Sequence, residues 1–236
     1  MIPLVLVLTL AQNPACSEAA LAALGDAIAR VQEFDVAGAI ARLERAAGEC
    51  DDVGLATWYL KGLTAAREAY RDGGSAQSLA PVREAIEALA RYGADRPGPA
   101  QTARLVLLGA ASAAQSERDE MAIFLDEALR QESIQVAARQ PGLPVVTAHE
   151  AAGDLWLQVH RFEESRRAYQ DASELFGSRP RTMLGLARTA ARLNDRSACL
   201  EYARLVAWWG SVSSEPAEIA EARAYLASSV CQSPQR

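Results

Sequence analysis

Apolar residues recur with helical spacing along nearly the whole chain, and only short turn signals interrupt this periodicity. Glycine, proline, asparagine and aspartate cluster at the interruptions, of which the clearest are 72–74, 94–99, 141–144, 177–180 and 210–216. Together the interruptions divide the chain into about eleven segments of one length class. Strand-forming residues are sparse after the first ten positions, and alanine, the strongest helix former, is the commonest residue. The sequence therefore predicts an all-α protein.

Two neighbouring segments, 146–179 and 180–213, carry the same pattern of small and large residues. The first has Gly153, Trp156, Phe162, Ser165, Tyr169 and Ala172, and the second has Ala187, Ala190, Arg196, Cys199, Ala203 and Val206 at the same offsets. This pattern, and above all the stretch GDLWLQVHRFEESRRAYQDASELF, resembles the tetratricopeptide repeat (TPR), a helix–turn–helix unit of about 34 residues. The departures are Ser165 in place of the usual Ala, and Pro180, which comes a few residues late.

The resemblance implies a right-handed α-solenoid of about five TPR-like helix pairs, forming a single domain over 16–231. A capping helix at 215–231 would close the array. The match is weaker in the earlier units, where Trp58, Gly62 and Ala65 fit the first helix of one pair. Small Gly109 fits another pair.

The amino terminus begins with a short apolar run, PLVLVLTL at 3–10, followed by small residues. The run is too short to span a membrane, and no similar run occurs later. We expect 1–15 to be a secretory signal peptide, cleaved after Ala11 or Ala15. The alternative is a buried first strand or helix, since no Lys or Arg precedes the apolar run. A lipid anchor on Cys16 is disfavoured because the preceding Asn-Pro-Ala lacks the expected Leu.

The four cysteines lie close to the ends of predicted helices. Cys16 precedes one helix and Cys50 follows the next, so an antiparallel hairpin would bring their sulfur atoms together; Cys199 and Cys231 repeat this arrangement. We expect the disulfides Cys16–Cys50 and Cys199–Cys231, which favour an exported protein of the bacterial periplasm or cell surface. The alternative is four buried thiols in a cytosolic protein.

Charge and motif content argue against nucleic-acid binding and catalysis. The net charge is −6 and no basic block occurs, so we expect no nucleic-acid partner. His149-Glu150 lacks the second histidine of a zinc-protease helix, and Lys61 follows Leu60 rather than the glycine of a phosphate loop. No nucleophile motif is present. We therefore predict that the protein is not an enzyme and holds no metal or cofactor.

In the TPR family the first helix of each unit lines a partner-binding groove, and the resemblance carries these positions onto this chain. They are Tyr59, Leu63, Arg67, Val106, Ala110, Ala113, Glu150, Asp154, Gln158, Arg181, Arg188 and Arg192. Arg188 and Arg192 share one helical face, and arginine pairs bind carboxylates in bidentate fashion. An acidic peptide or a chain terminus is therefore the expected ligand. The alternative is a solvated charged face, partly neutralised by Glu150 and Asp154.

The pair Trp208-Trp209 has two interpretations, an anchor for a partner or the seam against the capping helix.

The preferred function is a non-catalytic protein–protein interaction scaffold of the bacterial cell envelope that binds a peptide or protein. The alternative is an accessory subunit that supports an enzyme, or a secretion or motility assembly, encoded elsewhere. The sequence leaves the oligomeric state open.

Overall fold

The computed structural model describes residues 16–92, 97–140, 142–143, 145–210 and 215–232. In these ranges the chain forms twelve helices and no strand, so the all-α prediction is confirmed. The helices are α1 (Glu18–Gln32), α2 (Val36–Arg45), α3 (Asp51–Arg71), α4 (Ala80–Tyr92), α5 (Pro97–Ala114), α6 (Arg118–Ala137), α7 (Ala148–Gln158), α8 (Phe162–Phe176), α9 (Pro180–Arg192), α10 (Ser197–Trp209), α11 (Ala217–Leu226) and α12 (Ser229–Gln232). The expected signal peptide, 1–15, lies outside the described residues.

Four of the short connections between consecutive helices share one geometry, which also ends α6 at Arg139 (φ 54°) in the longer connection to α7. Each contains one non-glycine residue with a left-handed φ between 55° and 66°: Phe34, Ser116, His160 and Asn194. The N–H of the following residue then bonds to a carbonyl of the last helical turn, at 2.8–2.9 Å in all four cases. This is the Schellman arrangement, which satisfies a carbonyl that the helix end would leave exposed. The chain therefore builds helix pairs with the same turn: α1–α2, α5–α6, α7–α8 and α9–α10.

The chain divides into two compact units. Of the described residues, one unit contains those within 16–31 and 35–148, and the other contains those within 32–34 and 149–232. In the first unit α3 packs against α4 and α5, and α5 packs against α6. A Cβ added at Gly62 of α3 would stand 2.4 Å from the side chain of Leu107 in α5. Glycine is therefore required there for close helix packing.

In the second unit α9 packs against α8 and α10, and α10 packs against α11. The ring of Tyr169 in α8 fills the space over two glycines. A Cβ added at Gly153 of α7 would stand 2.7 Å from this ring, and one added at Gly185 of α9 would stand 2.1 Å from it. The two glycines therefore let α7 and α9 approach a large buried side chain from two sides.

Ser165, which departs from the usual Ala of the repeat, is wholly buried in α8. Its hydroxyl lies 2.9 Å from the carbonyl oxygen of Gly153 and 2.9 Å from Oγ1 of Thr189. It donates to the carbonyl, and the two hydroxyl groups share one hydrogen bond. The serine thus joins α8 to α7 and α9 by polar contacts that alanine cannot make.

The buried positions of α10, the second helix of the second clear repeat, lie one residue earlier than the repeat spacing predicts from α8. The buried residues of α10 are Ala198, Tyr202 and Leu205 rather than Cys199, Ala203 and Val206. Ala198 and Cys199 donate N–H bonds to carbonyls only three residues back. The first turn of α10 is therefore tighter than an ordinary α-helical turn, and the buried face of this helix is displaced by one residue.

The segment 215–231, expected as one capping helix, forms two. The Ser228 hydroxyl donates to the carbonyl oxygen of Tyr225 at 2.6 Å, next to the end of α11. Such side-chain bonds compete with helix propagation, and the chain starts again as α12.

Both predicted cysteine pairs are confirmed at disulfide distance. The Cα atoms of Cys16 and Cys50 are 5.1 Å apart, and those of Cys199 and Cys231 are 5.7 Å apart. The first pair joins the start of the α1–α2 hairpin to its end, and the second joins α10 to α12. No helix in the described ranges combines the length and the apolar character needed to cross a membrane.

Candidate functional site

The groove positions carried over onto the first unit fall largely in its interior. Tyr59 is wholly buried, Leu63 is half-buried and only Arg67 is exposed. Val106, Ala110 and Ala113 of α5 are also buried. Because these side chains pack inside the unit, they do not line a groove on its surface. The remaining predicted positions lie on α7 and α9 of the second unit.

Glu150 in α7 is wholly buried and has fixed partners. Oγ1 of Thr182 donates a 3.0 Å hydrogen bond to one of its carboxylate oxygens, and Nη2 of Arg179 lies 3.3 Å from the other. The Arg179 guanidinium also stacks over the ring of Phe176, 5.2 Å from its centroid. A buried carboxylate with a guanidinium and a hydroxyl beside it holds helices together and is not a surface for a ligand.

Asp154, one turn beyond Glu150, also binds within the protein. The hydroxyl of Tyr169 donates to it at 2.5 Å, and Nη2 of Arg181 donates to it at 2.6 Å. Burial raises the pKa of Tyr169 well above its usual value, and the neighbouring Asp154 carboxylate raises it further. The tyrosine therefore stays a neutral donor, and the predicted positions Asp154 and Arg181 form an internal ion pair.

Arg188 is held by a residue that the groove prediction did not include. Its Nε and Nη2 donate to both carboxylate oxygens of Glu221 in α11, at 2.9 and 2.6 Å. The hydroxyl of Tyr202 in α10 donates to the same carboxylate at 2.8 Å. Burial alone would lower the pKa of Arg188, but the hydrogen bonds and charge of Glu221 outweigh it and raise that pKa. The bidentate contact expected for a ligand carboxylate is made here by the chain itself.

Arg192 is the predicted groove residue that stays open to solvent. It lies one turn beyond Arg188 on α9 and is exposed. Among the described residues, it takes part in no hydrogen bond or ion pair. Gln158 at the end of α7 is half-buried. Of the predicted groove on the second unit, the structure thus leaves one exposed guanidinium at the end of α9, next to the Arg188–Glu221 pair.

Residues important to this network that the sequence analysis missed are Thr182, Arg179, Tyr202 and Glu221. One signal for Tyr202 was present, since it follows the buried Tyr169 at nearly the repeat spacing. Glu221 gave no such signal. It lies on a helix outside the two clearest repeats, and only packing of α11 against α10 brings it to Arg188.

The two tryptophans have different environments. Trp209 packs against the buried cluster that contains Leu205, Ile219 and Ala222, whereas Trp208 is 48% exposed. The seam interpretation therefore describes Trp209. Trp208 remains an exposed aromatic side chain on α10.

The histidines have structural environments. His149 is buried, with its ring 6.4 Å from that of Phe176, and His160 is the exposed left-handed residue of the α7–α8 turn. In the described ranges, no three His, Cys, Asp or Glu side chains are grouped to hold a metal ion.

The chain was also compared with known proteins. No protein-family model, no curated protein and no solved structure matches it.

Proposed function

We propose that this chain is a non-catalytic interaction scaffold of the bacterial cell envelope, built as a right-handed α-solenoid of TPR-like helix pairs. The repeated turn is the observation that carries this proposal. The left-handed residues His160 and Asn194 occupy matching places in two successive helix pairs, and Phe34 and Ser116 have the same geometry. Stacked helix pairs of this kind present rigid surfaces, so a partner binds without a large ordering cost.

The proposed ligand is an acidic segment of a protein or peptide, bound at Arg192. This guanidinium is exposed and has no acidic neighbour among the described residues that pairs with it. Arg188, one turn before it, binds Glu221 through Nε and Nη2, and its Nη1 donates no hydrogen bond among the described residues. A ligand carboxylate at Arg192 would therefore have a second guanidinium close by.

Export of the protein is part of the proposal. Two cysteine pairs at disulfide distance favour an oxidising compartment such as the periplasm. The apolar run at 3–10 would direct the chain there. Fusing 1–15 to a reporter that is active only outside the cytoplasm tests this step. An active fusion is expected, and a fusion that stays cytoplasmic would contradict it.

A fluorescence anisotropy titration tests the ligand assignment. The probe is a labelled peptide of alternating Glu and Ala, and the matched control probe has Lys in place of Glu. We expect saturable, salt-sensitive binding of the Glu peptide alone. Arg192→Glu should weaken it at least about tenfold.

Arg167→Glu is the control variant, because Arg167 is an exposed arginine of α8 and the charge change is the same. It should bind the Glu peptide as the wild type does. Equal weakening by both variants would show a general charge effect and contradict a site at Arg192.

A further inference from the structure

The helices α8 and α10 have matching buried faces but different exposed faces. Their buried residues correspond as Ser165 with Ala198, Tyr169 with Tyr202 and Ala172 with Leu205. Applying the same spacing to the exposed positions gives Arg167, Gln170, Asp171, Glu174 and Leu175 on α8, and Leu200, Ala203, Arg204, Ala207 and Trp208 on α10. The exposed face of α8 is polar at four of these five positions, and that of α10 is apolar at four. We call the α10 set the α10 outer face.

The large residues of the α10 outer face are exposed to an unusual extent. Leu200 is 54% exposed and Trp208 is 48% exposed, two turns apart on one side of the helix. The disulfide Cys199–Cys231 holds α12 beside the start of α10, and α12 adds Val230, which is 48% exposed. An exposed apolar helix face with an aromatic end is typical of an interaction surface.

Ala203 and Ala207 lie between the two large residues, one turn apart. Small side chains at this spacing leave a shallow depression along the helix, into which the side chains of a second helix can pack. The form of the surface therefore fits a helix laid along α10, with its apolar residues against Leu200 and Trp208.

Arg204 decides which helix fits. It lies midway between Leu200 and Trp208, its side chain is 58% exposed, and its Nη1 donates to Glu201 at 2.9 Å. Among the described residues, its Nε and Nη2 donate no hydrogen bond. Because Arg204 is central, pairing of two copies of this face about a two-fold axis would bring the two Arg204 guanidinium groups together. Like charges at the centre of an interface disfavour binding, so the face is not complementary to itself.

A membrane surface is disfavoured for the same reason. Insertion of Leu200 and Trp208 into lipid would carry the charged Arg204 between them into the apolar layer. A protein helix can instead place a carboxylate opposite the guanidinium and leave the flanking apolar contacts intact.

We propose that the α10 outer face binds an amphipathic helix of a different protein, one that carries an Asp or Glu between two apolar residues. The carboxylate pairs with Arg204, and the apolar residues pack against Leu200 and Trp208. This surface is separate from the site at Arg192. It adds a second binding surface and a partner class to the proposed scaffold.

The test uses a stapled helical peptide with Leu one turn before and one turn after a central Glu, and Gln on its other faces. A matched peptide has Lys in place of the Glu. We expect the disulfide-bonded protein to bind the Glu peptide at least about tenfold more tightly than the Lys peptide. Arg204→Glu should reverse this preference, and Trp208→Ser should weaken both peptides. Arg167→Glu on α8 is the control and should change neither.

Each other outcome contradicts the proposal. If neither peptide binds, or if Arg204→Glu still prefers the Glu peptide, the contact assigned to Arg204 does not form. A concentration-dependent dimer that Trp208→Ser dissolves would assign the face to a second copy, and binding of anionic vesicles lost in Trp208→Ser would assign it to a membrane. Arg192→Glu should leave peptide binding at α10 unchanged, so this test and the ligand test at Arg192 can fail independently.

Discussion

Arg188 in α9 binds both carboxylate oxygens of Glu221 in α11, and the two residues stand 33 positions apart in the chain. Tyr202 of α10 donates to the same carboxylate. The contact therefore joins three helices of the second unit through one acidic side chain. It is the internal counterpart of the bidentate contact that the sequence suggested for a ligand.

Arg188→Gln should destabilise the protein by about 1–2 kcal/mol at neutral pH. This loss of stability lies between the losses typical of exposed and of buried ion pairs, because the side chains of Arg188 and Glu221 are each more than a third exposed. Urea unfolding of the variant and the wild type measures the difference. Arg130→Gln, which breaks the exposed pair with Glu127 on one helix, is the control and should have a smaller effect. Equal effects of the two variants would contradict a special role for the Arg188–Glu221 pair.

The cost of Arg188→Gln should depend on pH. Burial alone would raise the pKa of Glu221, but Arg188 and Tyr202 lower it below the ordinary value of 4.5. Stability from a lowered carboxyl pKa is complete above the ordinary value and is lost as the pH falls through the lowered one. The stability difference between wild type and variant should therefore narrow below about pH 4.5. A difference that stays constant down to pH 3, well below that ordinary carboxyl pKa, would contradict this account.

Gly185→Ala should destabilise the second unit by about 1–3 kcal/mol or more, because the new Cβ would stand 2.1 Å from the Tyr169 ring. Gly25→Ala in α1 is the matched control. Nothing lies within 4 Å of a Cβ there, so alanine should stabilise that helix by about 0.5–1 kcal/mol. Thermal unfolding of both variants measures the effects. A neutral Gly185→Ala would contradict the close packing of α9 on Tyr169.

Ser165→Ala should destabilise the protein by about 1–2 kcal/mol, although alanine is the usual residue of the repeat that this segment resembles. The substitution removes the hydrogen bond to Gly153 and leaves the buried Thr189 hydroxyl without Ser165. The double variant Ser165→Ala with Thr189→Val removes both hydroxyl groups and should recover part of the loss. If Ser165→Ala increased the free energy of unfolding, the polar contact would have no stabilising role.

The two disulfides should each contribute about 2–4 kcal/mol to the free energy of unfolding, by restricting the unfolded chain. Replacing Cys199 and Cys231 together by serine removes one bridge without leaving an unpaired thiol.

Peptide mapping without reductant should recover Cys16 linked to Cys50 and Cys199 linked to Cys231. Four free thiols in the natively produced protein would contradict both the pairing and the export proposal.

The helices and the cysteine pairs were predictable because they depend on local patterns. The turn signal at 177–180 separated α8 from α9, and the ends of predicted helices placed Cys16 near Cys50. The interior of the first unit was not predictable in this way. Tyr59 lies on a helix that packs against three others, α2, α4 and α5, and spacing along one helix does not show how many faces are covered.

The candidate site was predicted only in part because its contacts are distant in sequence. The position of Arg188 followed from the repeat, but its partner Glu221 depends on how α11 packs. Likewise, a tighter first turn shifts α10 by one residue, and that shift sets which side chains of this helix are buried and which are exposed. The repeat spacing by itself does not predict such a small backbone change.

Crosslinked affinity capture from the native cell envelope tests the scaffold proposal most directly. The baits are the wild type, Arg192→Glu, Arg204→Glu and the control Arg167→Glu, each checked for folding by circular dichroism. The account predicts that the wild type and Arg167→Glu retain their specific partners, that Arg192→Glu loses a partner bound at Arg192, and that Arg204→Glu loses a partner bound at the α10 outer face. Identical recovery with all four baits, or no specific partner with any of them, would contradict it.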